Sequence, residues 1–152
     1  SSLAIGEYQS IIIDKNKNDL GIKESIFSIT KNLKNEPMQF EIMNDRIIIK
    51  LGSKDFENYQ MLEMNSKYRD IIYSMFIVPA LIYVFENIAN SENIEEYSEF
   101  LWFRSLEKCL NSNGINLDPN TIKKRNSYEL AQKLLDDPIS KALNSLIESG
   151  DY

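Results

Sequence analysis

The chain has no histidine and only one cysteine, Cys109, among its 152 residues. Without histidine, neither a Ser–His nor a Cys–His nucleophilic pair can form. A single cysteine without histidine also excludes the usual structural zinc sites and any disulfide within the chain. A lone thiol is typical of a reducing compartment, so we expect a cytoplasmic protein. We interpret Cys109 as a small buried apolar residue, because it lies at the edge of an apolar helical stripe.

Glycine is also scarce, with five residues, and no two of them form a Gly-x-Gly. Loops that cradle phosphate groups depend on such closely spaced glycines. The segment Asp14 to Asp19 lacks the later glycine and glutamate that complete a calcium-binding EF-hand loop. We therefore predict no cofactor. The abundance of asparagine, isoleucine and lysine indicates an AT-rich genome, such as that of a bacterium or a mobile element.

Basic residues are outnumbered, with 17 Lys and Arg against 23 Asp and Glu, which gives a net charge of −6. The overall field therefore does not favour a polyanionic partner. Lys123, Lys124 and Arg125 form the densest basic cluster. They are the candidates for a nucleic-acid contact, and the alternative is that they stabilise the C-terminal end of a helix. We do not expect nucleic acid as the partner.

The longest apolar run extends from Ile71 to Phe85 and carries no charge. At 15 residues it is shorter than the ~20 that cross a bilayer, so we predict a core helix over about residues 67–90 rather than a membrane span. Pro79 lies in the middle of this run. Proline removes one helical hydrogen bond, and this predicts a kink that is either a passive bend around the core or a hinge.

The remaining sequence predicts an α+β fold within a single domain over residues 1–152. Residues 1–52 are rich in β-branched side chains and alternating apolar positions, which predicts a small antiparallel sheet over about residues 3–52. Residues 53–150 carry helical spacing and the capping candidates Asn65 or Ser66, Asp118 and Asn126. This predicts four or five helices packed around the central one. Because the chain opens on Ser1-Ser2, we expect the C-terminal or excised part of a longer protein. The predicted strands cover residues 4–14, 22–30, 38–42 and 46–51.

Four carboxylates, Glu92, Glu95, Glu96 and Glu99, lie at three- and four-residue spacing near the start of a helix predicted from Ile94. We interpret them as a solvated face, since carboxylates are favourable near a helix N-terminus. The alternatives are a divalent metal site, completed by Glu86, and a docking surface for a basic partner.

The segment Phe100-Leu101-Trp102-Phe103-Arg104 places four large apolar residues in a row. On a helix these side chains point around about 300° of the circumference, so one core cannot cover them all. Trp102 and Phe103 need cover from a second side, either within the chain or from another molecule. With Arg104 they are the candidates for interface residues, because Trp and Arg are enriched at interface hot spots.

These patterns favour a non-enzymatic module for protein interaction or assembly, either self-associating or docking to another protein. The first alternative is a carboxylate-based, metal-dependent enzyme. The second is an accessory domain that binds nucleic acid.

Overall fold

The structure, a computed structural model, describes residues 8–11 and 26–150. In these residues a sheet is followed by helices, so the predicted α+β class is confirmed. The strand predicted over residues 4–14 is described only at residues 8–11. The polar turn predicted over residues 15–21 and the beginning of the strand predicted from residue 22 lie outside the described residues.

In the part of the chain that the structure describes, four strands form a sheet in the order β1-β2-β4-β3. The outer pairs, β1 with β2 and β3 with β4, are antiparallel, as predicted. The strands are β1 Tyr8–Ile11, β2 Phe27–Asn32, β3 Gln39–Ile42 and β4 Ile47–Gly52.

The central pair, β2 with β4, is parallel, so the sheet is mixed rather than wholly antiparallel. The chain leaves β2, forms β3 at the edge, and turns back at Asn44-Asp45 into the gap between them. The strand that enters this gap is the most apolar of the described strands, and its Ile47, Ile49 and Leu51 are all buried. A strand with two paired edges buries more than an edge strand does, which accounts for the central place of β4.

The central apolar run forms a continuous helical segment, Ser66–Ala89, of three helical types. Asn65 caps its first turn by accepting a hydrogen bond from the Lys67 N–H. A wide π turn precedes Pro79, and in it the Val78 N–H donates to the Tyr73 carbonyl, five residues back. The proline therefore falls in the first turn of the helix that follows, where its missing N–H is tolerated. The segments are a 3₁₀ turn Ser66–Tyr68, α2 Arg69–Ile72, the π turn Tyr73–Ile77 and α3 Val78–Ala89.

By length and composition alone, Ser66–Ala89 would be able to cross a membrane. Core helices of folded proteins have the same length and composition, so these two properties alone do not identify a membrane span. Within the fold, Ile77, Leu81, Val84, Phe85 and Ile88 have no exposed surface. Within this segment, α2 packs on the last described helix, Pro138–Ser149. The following α3 packs on the two preceding helices, Pro119–Arg125 and Ser127–Leu135.

The other helices begin and end largely where the capping residues predict. Asp118 accepts from the Thr121 N–H, and Asn126 accepts from the Glu129 N–H. The helix predicted from Ile94 is instead divided into a 3₁₀ turn, Ile94–Tyr97, and a separate α-helix. The helices are α1 Ser53–Glu63, α4 Leu101–Asn111, α5 Pro119–Arg125, α6 Ser127–Leu135 and α7 Pro138–Ser149.

Gly52 joins β4 to α1. At this position the loop after β2 passes close to the Gly52 backbone through Asn35 and Glu36. A Cβ atom at this position would lie 2.7 Å from the Glu36 carbonyl oxygen. Its φ of −55° and ψ of 157° suit any residue, so the requirement for glycine here is steric alone. The loop therefore lies directly against the end of the sheet at which α1 begins.

We predict that Gly52→Ala lowers the free energy of unfolding by about 1–3 kcal/mol, because a backbone oxygen must move to admit the methyl group. Urea denaturation measures the change. The control is Gly114→Ala, where the new Cβ meets nothing within 4 Å but φ is +73°; it should cost about 1 kcal/mol from backbone strain alone. A Gly52→Ala protein as stable as the wild type would contradict the close approach of Glu36.

Candidate functional site

Trp102 and Phe103, two of the three predicted interface residues, lie in the core. Trp102 has no exposed surface and Phe103 is 3% exposed. The Trp102 indole Nε1–H donates a 2.7 Å hydrogen bond to the Met43 carbonyl, beside the β3–β4 turn. Arg104, the third residue, is exposed. The second layer of cover that these rings require is therefore supplied by the chain itself.

Tyr97 and Phe100 provide some of that cover. Phe100 is extended, with φ −77° and ψ 133°, so the chain turns between the 3₁₀ turn and α4. The turn brings the Tyr97 ring within 5.7 Å of the Trp102 centroid and 6.1 Å of the Phe103 centroid. On a continuous helix these rings would point in diverging directions, so the break in the helix is what joins them into one cluster.

The predicted carboxylate patch is only partly brought together. Glu86, Glu92 and Glu96 line an open cleft of about 550 Å³ beside α3, whereas Glu95 and Glu99 do not line it. All five side chains are exposed. The Ser127 hydroxyl donates to Glu86 at 2.5 Å, which gives this carboxylate a structural partner. Among residues 26–150 and 8–11, no three His, Cys, Asp or Glu side chains converge on a point where a metal ion would bind.

The predicted basic cluster occupies the last turn of α5. Lys123 and Lys124 are exposed, and the Arg125 guanidinium pairs with the Glu129 carboxylate at 3.3 Å. Cations in the last turn of a helix interact favourably with its dipole. This placement matches the structural alternative considered for the cluster.

Cys109 has no exposed surface. Burial raises the pKa of its thiol from 9.0 to about 11, although Lys108 opposes the shift. A nucleophilic cysteine needs a lowered pKa and access to solvent. This environment has the opposite effect, so the thiol is a core side chain.

An apolar groove lies between α1, the central helical segment and α7. It has a volume of about 530 Å³, and its lining is largely hydrocarbon. Asp55 and Asn58 are among the few polar side chains that line it. Ligand-binding clefts in proteins commonly have this size and this mainly apolar lining. The lining includes Tyr59, Leu62, Ile72, Met75, Phe76 and Leu146.

The floor of the groove is well packed. Tyr59 is 3% exposed and meets the Phe76 ring edge-on, with centroids 5.8 Å apart. Burial, assisted by Glu63 and Tyr73, raises the pKa of Tyr59 to about 12. The Ser74 hydroxyl donates to the Pro138 carbonyl at 2.9 Å and so ties the π turn to the start of α7. These contacts connect the floor of the groove to the central segment and the start of α7 to the π turn.

The rims of the groove remain open to solvent. Leu62, Met75 and Leu146 line the groove and also rank among the exposed large apolar residues. Sequence reasoning missed this surface because it expected the helices of residues 53–150 to pack around the central helix. The available signal was the number of large apolar positions in the α7 sequence, which has four within residues 139–147.

Comparisons with protein-family models, curated proteins and solved structures found no match. Function is therefore inferred from the groove and from the placement of the side chains described above.

We predict that Trp102→Phe lowers the free energy of unfolding by about 2 kcal/mol. About 1 kcal/mol comes from the lost hydrogen bond to Met43, and about 1 kcal/mol from the space left by the smaller ring. Urea denaturation measures the change. The neighbouring Leu101 is 43% exposed, and Leu101→Ala should stay within about 0.5 kcal/mol of the wild type. Equal effects for the two variants would show that Trp102 is not a core residue.

Burial of Cys109 predicts a stability loss at high pH. The folded thiol keeps its proton up to about pH 11, whereas the unfolded thiol loses it near pH 9. The buried thiol contributes about 2 kcal/mol to the free energy of unfolding. This contribution is complete below pH 9 and is lost as the pH rises towards 11. Urea midpoints between pH 8 and 11 measure this decline. Cys109→Ala should remove that contribution and retain the decline due to Tyr59, which begins near pH 10. Identical pH profiles for both proteins would contradict the buried thiol.

Proposed function

We propose that the chain is a non-enzymatic protein-interaction module that binds an amphipathic helix along the apolar groove. The observation that carries this proposal is the open rim, where Leu62, Met75 and Leu146 are 39%, 54% and 49% exposed. Monomers rarely leave contiguous apolar surface of this extent uncovered unless it binds something. Grooves between helices commonly accept the apolar face of another helix.

The side chains of the groove suit a protein partner. Met75 stands at the rim in the π turn, and methionine adapts its shape to different apolar surfaces. A small apolar molecule would fill the 530 Å³ cavity but would leave the exposed face of α7 beside it in water. A partner helix covers both surfaces at once, and this favours a protein over a small ligand.

The two alternative functions have less support. The carboxylates Glu92, Glu95, Glu96 and Glu99 are exposed, and a solvated face accounts for them. Of the three basic candidates, Lys123 and Lys124 stand at a helix end, and Arg125 is paired. The proposal therefore includes neither a metal nor nucleic acid. It places the module in the cytoplasm, bound to protein rather than to a membrane.

We predict that panning a displayed library of 15–20-residue amphipathic helices against the immobilised chain enriches peptides with apolar residues at i, i+3 or i+4, and i+7. Fluorescence anisotropy should then give at least tenfold weaker binding for Met75→Lys, since a charge at the rim would be desolvated. Met43→Lys is the matched control, because Met43 is 43% exposed and lies at the opposite end of β4 from the groove.

Two outcomes count against the proposal. One is the absence of any enriched helical motif. The other is a set of peptides that bind Met75→Lys as tightly as Met43→Lys, which would place their site elsewhere on the molecule.

A further inference from the structure

The last helix, α7, has an unusual distribution of apolar side chains. Its buried residues are Pro138 and Ala142, both small. Its large apolar residues face solvent instead, and they form a stripe with helical spacing of four, three and one residues. The stripe consists of Ile139, Leu143, Leu146 and Ile147, which are 41%, 58%, 49% and 56% exposed. An amphipathic helix normally turns its large apolar residues inward, so this helix has a second face that needs cover.

We propose that a second copy of the chain covers the stripe, through an antiparallel pairing of the two α7 helices across a two-fold axis. This inference rests on the proposed function, because it names the partner of the same surface. The first argument is symmetry. Ile139 and Ile147 each lie four residues from Leu143, one on either side. Pairing centred on Leu143 sets Ile139 of one copy against Ile147 of the other, which is the self-complementary pattern that a two-fold interface requires.

The charges around the stripe permit contact between two identical surfaces. The chain has a net charge of −6, so two copies repel each other overall. The only charged residues between Pro138 and Ser149 are Lys141 and Glu148, and their charges cancel. Both lie about 150° or more around the helix from the centre of the stripe, given the 100° step per residue. Lys141 is also paired with Asp136 at 3.3 Å.

The area of the surface also suits a dimer. At about half exposure each, the four stripe residues with Leu62 and Met75 present roughly 600 Å² of apolar surface, at the upper limit for a monomer. One side of a standard interface buries about 800 Å², of which about 65% is apolar at most. The stripe and the groove rim therefore supply the apolar core of one such side. Leu146 belongs to both, so one partner helix covers both.

Sedimentation velocity over a range of concentrations tests this proposal directly. The wild-type chain should sediment as a reversible dimer. Leu143→Asp places two carboxylates at the two-fold axis and should weaken the dimer about 100-fold or more. Leu101→Asp is the matched control: Leu101 is 43% exposed near the β3–β4 turn, and the variant should remain as dimeric as the wild type. Circular dichroism melting of all three proteins establishes that each is folded.

Cross-linking tests the antiparallel geometry independently of any loss of stability. Leu143→Cys brings two thiols together at the axis, so mild oxidation should link the dimer rapidly through a disulfide. Leu101→Cys should not cross-link at the same rate. The native Cys109 contributes little background, because it is fully buried.

The outcomes separate this proposal from the proposed function. A wild-type monomer at all concentrations that still binds helical peptides overturns the dimer and leaves the interaction module standing. A dimer that survives Leu143→Asp, or that does not cross-link through Leu143→Cys, has a different interface and overturns the α7 pairing. A monomer that also binds no peptide would falsify both proposals.

Discussion

The uncharged run from Ile71 to Phe85 is the constraint on which the rest of the fold depends. A segment this apolar must be enclosed by other parts of the chain on most sides. It must also remain helical although Pro79 lacks the N–H that a helix interior requires. The π turn Tyr73–Ile77 accommodates the proline by adding one residue to the helical turn before it. That extra residue shifts the phase of the helix, so Ile77 faces the core while Met75 is 54% exposed. The groove arises at this point, because the phase shift brings Met75 and Phe76 to its wall.

The same turn fixes the last helix. The Ser74 hydroxyl reaches the Pro138 carbonyl, and Pro138 and Ala142 are the buried residues of α7. A helix whose buried residues are two small ones gains little from burial, although burial of an apolar face supplies most helical stability in proteins. Burial of Leu143 and Ile147 by a second molecule would therefore stabilise α7 itself as well as the complex. Association through the stripe would also steady the wall that α7 contributes to the groove.

Local sequence signals predicted the helices and strands well, and predicted which strands pair with each other less well. The caps at Asn65, Asp118 and Asn126 depend on side chains close to the backbone groups that they bind, so sequence spacing is sufficient to find them. The parallel pairing of β2 with β4 depends on where β3 leaves a gap, and no local pattern contains that information. The break before α4 was missed for a related reason: the extended Phe100 is stabilised by ring contacts with Tyr97 and Trp102, which exist only in the folded chain.

The candidate site shows why composition is a poor guide to exposure. Trp102 and Phe103 belong to residue types that favour interfaces, yet the core takes them because the aromatic cluster and the Met43 carbonyl satisfy both the rings and the indole N–H. Leu143 and Ile147 are ordinary core residue types, yet they remain outside because α7 packs on the central segment through Pro138 and Ala142. What decides exposure is how many neighbours an element has to enclose it. A helix at the end of the described chain has few, so α7 keeps an apolar face that is open to a second molecule.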